Sequence, residues 1–167
     1  PLLLGRSTRA IPLLPTHDKC YRATFRFGFV SDTLDVWGKV LPTNKPLPAE
    51  SEIHAVLPTF RGEIMQVPPM MSALKKDGVR LYELARQGIE IEREARPVTI
   101  YRLDVEQYDA ASGELTVLCE CSAGTYIRTL GDDIGGALGC GAVMTALRRV
   151  SAAGYNEAAC YTIDEWK

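Results

Sequence analysis

An arginine in the first turn of a helix is an unusual choice. This chain places one there, in Cys121-Ser-Ala-Gly-Thr-Tyr-Ile-Arg128-Thr-Leu130. Ahead of that segment, Leu115, Val117, Cys119 and Cys121 fall on one parity, the period of a half-buried strand. Behind it, Ile127, Leu130, Ile134 and Leu138 recur at steps of three and four, one face of a helix. Ser122-Ala-Gly124 therefore joins a strand to a helix, with Thr125, Tyr126 and Arg128 in or near the helix's first turn. The helix dipole is positive at that end, so a cation is disfavoured unless an anion lies opposite. Arg128 thus requires an acidic partner or a phosphate, and on spacing alone Asp132, at i+4 on a solvated face, serves as well as a distant carboxylate.

Other chemistries have little support. The chain holds only His17 and His54, far apart, which argues against a Ser/His/Asp or Cys/His nucleophile. Its five cysteines, Cys20, Cys119, Cys121, Cys140 and Cys160, form neither a disulfide framework nor a zinc-ligand spacing. Cys119 and Cys121 read as core, and no metal is expected. Arg148 and Arg149 read equally as phosphate contacts or as cations complementing a helix C-terminus.

The elements that must position these residues are legible in outline. Residues 5–18 read as a short helix or turn interrupted by Pro12 and Pro15. Residues 20–30 form a strand with Tyr21, Phe25, Phe27 and Phe29 on the core parity. Proline-rich residues 42–58 read as a surface connection holding a short helix from Ala49 to Val56, followed by a short strand or entry segment from Phe60 to Val67. Pro68-Pro69-Met70-Met71 must pack against something, because such a stretch is unfavourable in water. A helix through Leu81, Leu84 and Ala85 ends at Gly88. Strands at about 97–107 and 114–121 join through Ser112-Gly113, and a second short helix is expected at 142–149. Thr162-Ile-Asp-Glu165 is a capping-box sequence announcing a further helix. No apolar run approaches the roughly 20 residues of a membrane span and no signal peptide is visible, so the cytoplasm is the expected compartment.

The net charge of −2 argues against an indiscriminate nucleic-acid binder. Its distribution is uneven. Residues 1–30 carry Arg6, Arg9, Lys19, Arg22 and Arg26 against Asp18, a net +4. Residues 104–120 carry Asp104, Glu106, Asp109, Glu114 and Glu120 and no cation, a net −5. One basic face with an acidic back is the expectation, as suits a grip on a polyanion.

The segment around Arg128, followed by Asp132-Asp133-Ile-Gly135 and Leu138-Gly-Cys-Gly-Ala142, closely resembles the TruB family of tRNA pseudouridine synthases. So do Tyr21-Arg-Ala23, Asp32-Thr-Leu-Asp35, Gln66-Val-Pro-Pro-Met, Ser72-Ala-Leu-Lys75, Arg80 to Gly88, Arg96 to Ile100 and Leu147-Arg-Arg149, in that family's order. The resemblance implies an α+β pseudouridine-synthase-like domain, a mixed but largely antiparallel sheet flanked by helices. The resemblance further implies that a thumb loop at about 60–92 closes over an RNA stem-loop. It also implies cofactor-free isomerisation of the T-loop uridine of tRNA, gripped by its T-arm, by a protein expected to be a monomer. Tyr21 would face the base and Tyr126 would wall the pocket. Arg128 would hold the catalytic carboxylate and Asp35 would hold Arg128. Lys75, Leu147, Arg148 and Arg149 would bind substrate.

The chain departs from the family in one respect that matters. The catalytic aspartate belongs to a Gly-x-Leu-Asp-Pro segment immediately upstream of Pro1-Leu-Leu-Leu-Gly5, and no residue here matches it. The chain as it stands is therefore expected not to isomerise uridine, and a non-catalytic T-arm binding or RNA-remodelling module is the alternative. Nor is the C-terminal RNA-binding extension that often follows this core expected. Ser-Ala-Gly in place of a commoner Ser-Lys-Gly removes one phosphate contact.

Overall fold

Aromatic and polar residues alternate from Tyr21 to Phe27, and this alternation builds the central strand of the sheet. In the computed structural model, which describes residues 2–14 and 16–165, Tyr21, Ala23, Phe25 and Phe27 are buried and Arg22 and Arg26 exposed. The elements in chain order are β1 (Lys19–Phe27), β2 (Phe29–Ser31), β3 (Val40–Pro42), α1 (Glu50–Val56), β4 (Gly62–Gln66), β5 (Lys75–Lys76), β6 (Val79–Arg80), α2 (Leu81–Arg86), β7 (Arg96–Asp109), β8 (Glu114–Cys121), α3 (Ile127–Ala137), β9 (Ala142–Ala152) and β10 (Tyr155–Asn156). Gly5–Leu13 forms a run of 3-10 turns that tolerates Pro12.

Six strands form one sheet in the order β10-β9-β1-β8-β7-β4, with every pairing antiparallel. The buried parity of β1 continues onto Leu115, Val117, Cys119 and Cys121 of β8, and this face receives Ile127, Leu130 and Ile134 of α3. The architecture is α+β, as expected. The contact between α3 and the sheet is intimate: a methyl on Gly131 would lie 2.3 Å from the Phe25 ring, and one on Gly135 would lie 2.4 Å from the backbone nitrogen of Ala142.

Three expectations are corrected. Residues 142–149 are not a helix but most of β9. Ala, Met, Leu and Arg favour a helix locally, yet β1 would otherwise present an unpaired edge, and nine residues of β9 pair with it. Gly139 and Gly141, both at positive φ (73° and 74°), turn the chain sharply between α3 and the strand. Second, Phe29 is only half-buried. Gly28 at φ 85° ends β1 and breaks the parity, and the Arg26 guanidinium lies 4.8 Å from the Phe29 ring centre. Third, the acidic and basic stretches do not make opposite faces, because pairing interleaves them. Arg22 donates from Nε to Glu106 at 2.6 Å, Arg26 lies beside Glu114, and Arg61 and Arg102 both pair with Asp104.

The Pro-Pro-Met-Met segment packs as its composition demanded. Pro68, Pro69 and Ser72 are buried. Backbone bonds from Leu81 to Leu74 (2.8 Å) and from Tyr82 to Ser72 (3.1 Å) fold the segment back onto α2. Thr162 and Glu165 do form the reciprocal capping bonds (2.8 and 3.3 Å). Residues 163–165 form a turn, and the rest of the expected helix lies outside the described residues.

Candidate active site

Arg128, the second residue of α3, reaches across two loops. Its Nη1 donates to the Thr33 carbonyl (3.0 Å) and to Asp35 Oδ2 (3.2 Å), and Nη2 donates to the Met71 carbonyl (2.7 Å). A positive charge at the positive end of a helix is thus offset by one carboxylate and two carbonyl dipoles. Asp35, and not Asp132, is the ion-pair partner, and both members are largely buried, with side chains 21% and 12% exposed. Two of the five N–H donors of Arg128 have no acceptor among the described residues.

The turn that carries Asp35 is built to hold it. Leu34 sits at φ 63°, and its amide bonds back to Ser31 (3.1 Å). Thr33 Oγ1 donates to Asp35 Oδ1 at 2.7 Å and the Trp37 amide donates to the same oxygen at 3.0 Å, which leaves Oδ2 for Arg128. Asp32 acts as a turn former, accepting the Lys39 amide at 2.8 Å. Gly38 has no alternative, since a Cβ there would lie 2.1 Å from Asp32 Oδ1. The turn is also stitched to β9 by paired bonds between Leu34, Val36 and Met144, each 3.1 Å, around the isolated parallel bridge Asp35–Met144.

The remaining candidates divide. Tyr21 and Leu147 lie on the α3 side of the sheet, on β1 and β9, three residues on from Met144 in the case of Leu147. Arg149 is the cross-strand partner of Tyr21 and its guanidinium lies 5.4 Å from the Tyr21 ring centre, within cation–π range. Arg148 points the other way, as the next residue of a strand must, and pairs with Glu157 at 2.8 Å on the outer face. Lys75 is exposed in the β5–β6 hairpin, where it lines a recess with Lys76, Leu81 and Arg96 and makes no contact with Arg128.

Tyr126 precedes α3 and is fixed through its backbone: its amide donates to Gln66 Oε1 (3.0 Å), and Gln66 Nε2 donates to its carbonyl (3.3 Å). Gln66, 1% exposed, therefore aligns the start of α3. Sequence reading carried it only as part of a motif. A polar residue closing a strand just before Val-Pro-Pro was the available signal.

A groove of about 470 Å³ opens between residues 67–70, residues 85–93 and α3, lined by Asp32, Pro69, Met70, Arg93, Asp132 and Asp133, with Thr129, next to Arg128 in the chain, on its wall. Burial pushes the Asp133 carboxyl up to about 6, with the neighbouring charge of Asp132 adding to the effect, and burial raises Asp132 as well. Among the described residues no cluster of His, Cys, Asp and Glu could hold a metal ion, and no helix is long and apolar enough to cross a membrane.

Residues 1–127 match the family model of the TruB pseudouridylate synthase N-terminal domain, and residues 128–167 match that of the tRNA pseudouridylate synthase B C-terminal domain. The chain belongs to the TruB family of pseudouridylate synthases. The boundary between the two matches falls inside α3, so it is not a structural division.

Three similar proteins are each named tRNA pseudouridine synthase B. That of Chromobacterium violaceum is 53% identical over 156 residues, which is 93% of this chain and 50% of that protein. That of Pseudomonas fluorescens is 46% identical (99% and 53%), and that of Haemophilus influenzae 47% (99% and 52%). The chain thus spans about half the length of the curated relatives it matches. Its backbone is similar to that of a chain in a Cbf5–Nop10–Gar1 complex, with a TM-score of 0.65, 28% identity, and coverage of 92% of this chain and 36% of that one. It is also similar to a chain in an archaeal box H/ACA Nop10–Cbf5 complex, with a TM-score of 0.59 and 26% identity.

Proposed function

We propose that this chain carries the arginine–aspartate network and much of the RNA-facing surface of a tRNA pseudouridine synthase acting on the T-loop uridine. The supporting observation is Arg128. Three of its N–H donors are spent on holding the guanidinium still, and the two that remain sit in a partly buried place where an incoming anion is favoured.

Pseudouridine formation detaches uracil from C1′ of the ribose and reattaches it through C5. The atoms removed and added belong to one nucleotide, so no cofactor is consumed. The base must leave the RNA stack, meet an aromatic surface, and have a carboxylate at the glycosidic bond. Arg128 orients that carboxylate, supplied by the Gly-x-Leu-Asp-Pro segment of the family, while Asp35 orients Arg128. Tyr21 receives the base, with Arg149 above it, and Tyr126 walls the pocket. Lys75 on its exposed hairpin and Leu147 at the sheet rim contact the T-arm. Arg148, already paired with Glu157, has the weakest support among the substrate contacts. A monomer working in the cytoplasm on tRNA completes the reading.

The test is tritium release from tRNA labelled at C5 of uridine, using the full-length protein. Wild type releases the label, and Arg128→Ala abolishes release while keeping a cooperative unfolding transition. Full release by that variant would refute the network.

A further inference from the structure

Trp37 is the most conspicuous side chain that the network does not use. It is 90% exposed, although its backbone belongs to a densely hydrogen-bonded turn. Its amide is held by Asp35 Oδ1, the preceding amide by the Met144 carbonyl, and the following glycine fits against Asp32 and Thr33 with no room for a methyl. A large indole on a mobile loop is unremarkable. One held out in water by a rigid turn, two residues from the Asp35–Arg128 pair, contributes nothing to folding and is preorganised for contact.

Its setting identifies the occupant. Residues 36–49 carry Lys39 and Lys45 and no acidic residue, and the carboxylates of the same turn are engaged, Asp32 by the Lys39 amide and Asp35 by Thr33, Trp37 and Arg128. Val30 and Leu41, cross-strand partners on β2 and β3, the strands that flank this turn, are half-exposed apolar residues. Aromatic surface interleaved with lysine suits a splayed base attached to a phosphate backbone, since every base has a π-face and every linkage a charge.

We propose that Trp37 is a stacking platform for an unpaired base of the RNA substrate, next to the base taken into the site. This rests on the tRNA reading above and extends it to a second nucleotide. The rigid turn fixes the spacing between the two, so Trp37 acts as a gauge of loop geometry as well as a source of affinity.

The test uses the full-length protein, tRNA and a filter-binding titration. Trp37→Ala weakens binding roughly 5- to 150-fold, the range for losing one base–aromatic stack. Trp37→Phe keeps affinity within about threefold, because a phenyl ring still stacks. The slope of log Kd against log salt stays unchanged in Trp37→Ala, since stacking releases no counterions. The indole signal, taken as the difference between wild type and Trp37→Phe, is quenched on RNA addition and accessible to acrylamide before it.

Equal affinity of wild type and Trp37→Ala, with tRNA binding intact, overturns this proposal and leaves the proposed function standing. An indole already shielded in the RNA-free protein overturns it too, because a protein segment then covers the residue. If the wild-type protein binds no tRNA, both readings fail.

Discussion

Asp35→Asn isolates what the carboxylate contributes, because it preserves shape and removes only charge and one acceptor. The carboxylate accepts from three donors: the Thr33 hydroxyl (2.7 Å), the Trp37 amide (3.0 Å) and Arg128 Nη1 (3.2 Å). An asparagine oxygen left toward Thr33 and Trp37 turns its NH2 group onto the guanidinium, donor against donor. Turned over, it sets the same group against the Trp37 amide. Either way one donor in a site where the two side chains are only 12% and 21% exposed is left without its partner. Losing a charge-assisted bond of this kind costs about 1.5–3 kcal/mol, so we expect about 2 kcal/mol off the unfolding free energy at pH 7. Urea titration followed by far-ultraviolet circular dichroism measures it. A double-mutant cycle with Arg128→Met should return a coupling energy of similar size, because the two residues touch. A loss below about 0.5 kcal/mol with a coupling of the same small size would mean that the pair is no more than a surface contact, and the positioning role given to Asp35 would fall with it.

Two further outcomes follow from the packing and the charges. Gly135→Ala ordinarily strengthens a helix by up to about 1 kcal/mol, but here the added methyl would meet the Ala142 nitrogen at 2.4 Å and the Gly141 carbonyl carbon at 2.5 Å. We expect a net destabilisation of about 1–3 kcal/mol, and an unchanged or raised Tm would contradict the packing of α3 on β9. Asp133 titrates near 6 in the folded protein and near its ordinary lower value when unfolded, so the unfolded state sheds its proton first and stability falls as pH rises from about 4 to about 6. Asp133→Asn should therefore stabilise the protein at pH 7 and have little effect below pH 4; equal effects at the two pH values would refute the buried carboxyl.

What the sequence showed best was local. The parity of Tyr21 to Phe27 and of Leu115 to Cys121 predicts two strands that the structure pairs directly. The position of Arg128 alone demanded an anion, though not which one: Asp132 lay close in sequence, while Asp35, 93 residues away, required the fold. What failed was non-local. Residues 142–149 have helix-forming composition, and only the unpaired edge of β1 explains why they form β9. That error carried Arg148 and Arg149 with it, since a helix end would keep both near one site and a strand sends them to opposite faces. Charge counts along the chain failed for the same reason, because strand order sets Arg22 against Glu106 across the sheet.

The Asp35–Arg128 pair cannot exist before the fold does. Its donors and acceptors come from the turn at 31–38, the Pro68–Met71 segment and the first turn of α3, and Gln66 holds the last of these from the end of β4. None of the three segments keeps its shape by local propensity alone: one contains a left-handed leucine, one is proline-rich, and one puts a cation where a helix disfavours it. Arg128 belongs to one of the three and bonds to the other two, so it is as much a closure of the fold as a part of the site. A variant at this position lowers turnover for either reason, and only a retained unfolding transition separates the loss of a positioned guanidinium from the loss of the loops that it ties together.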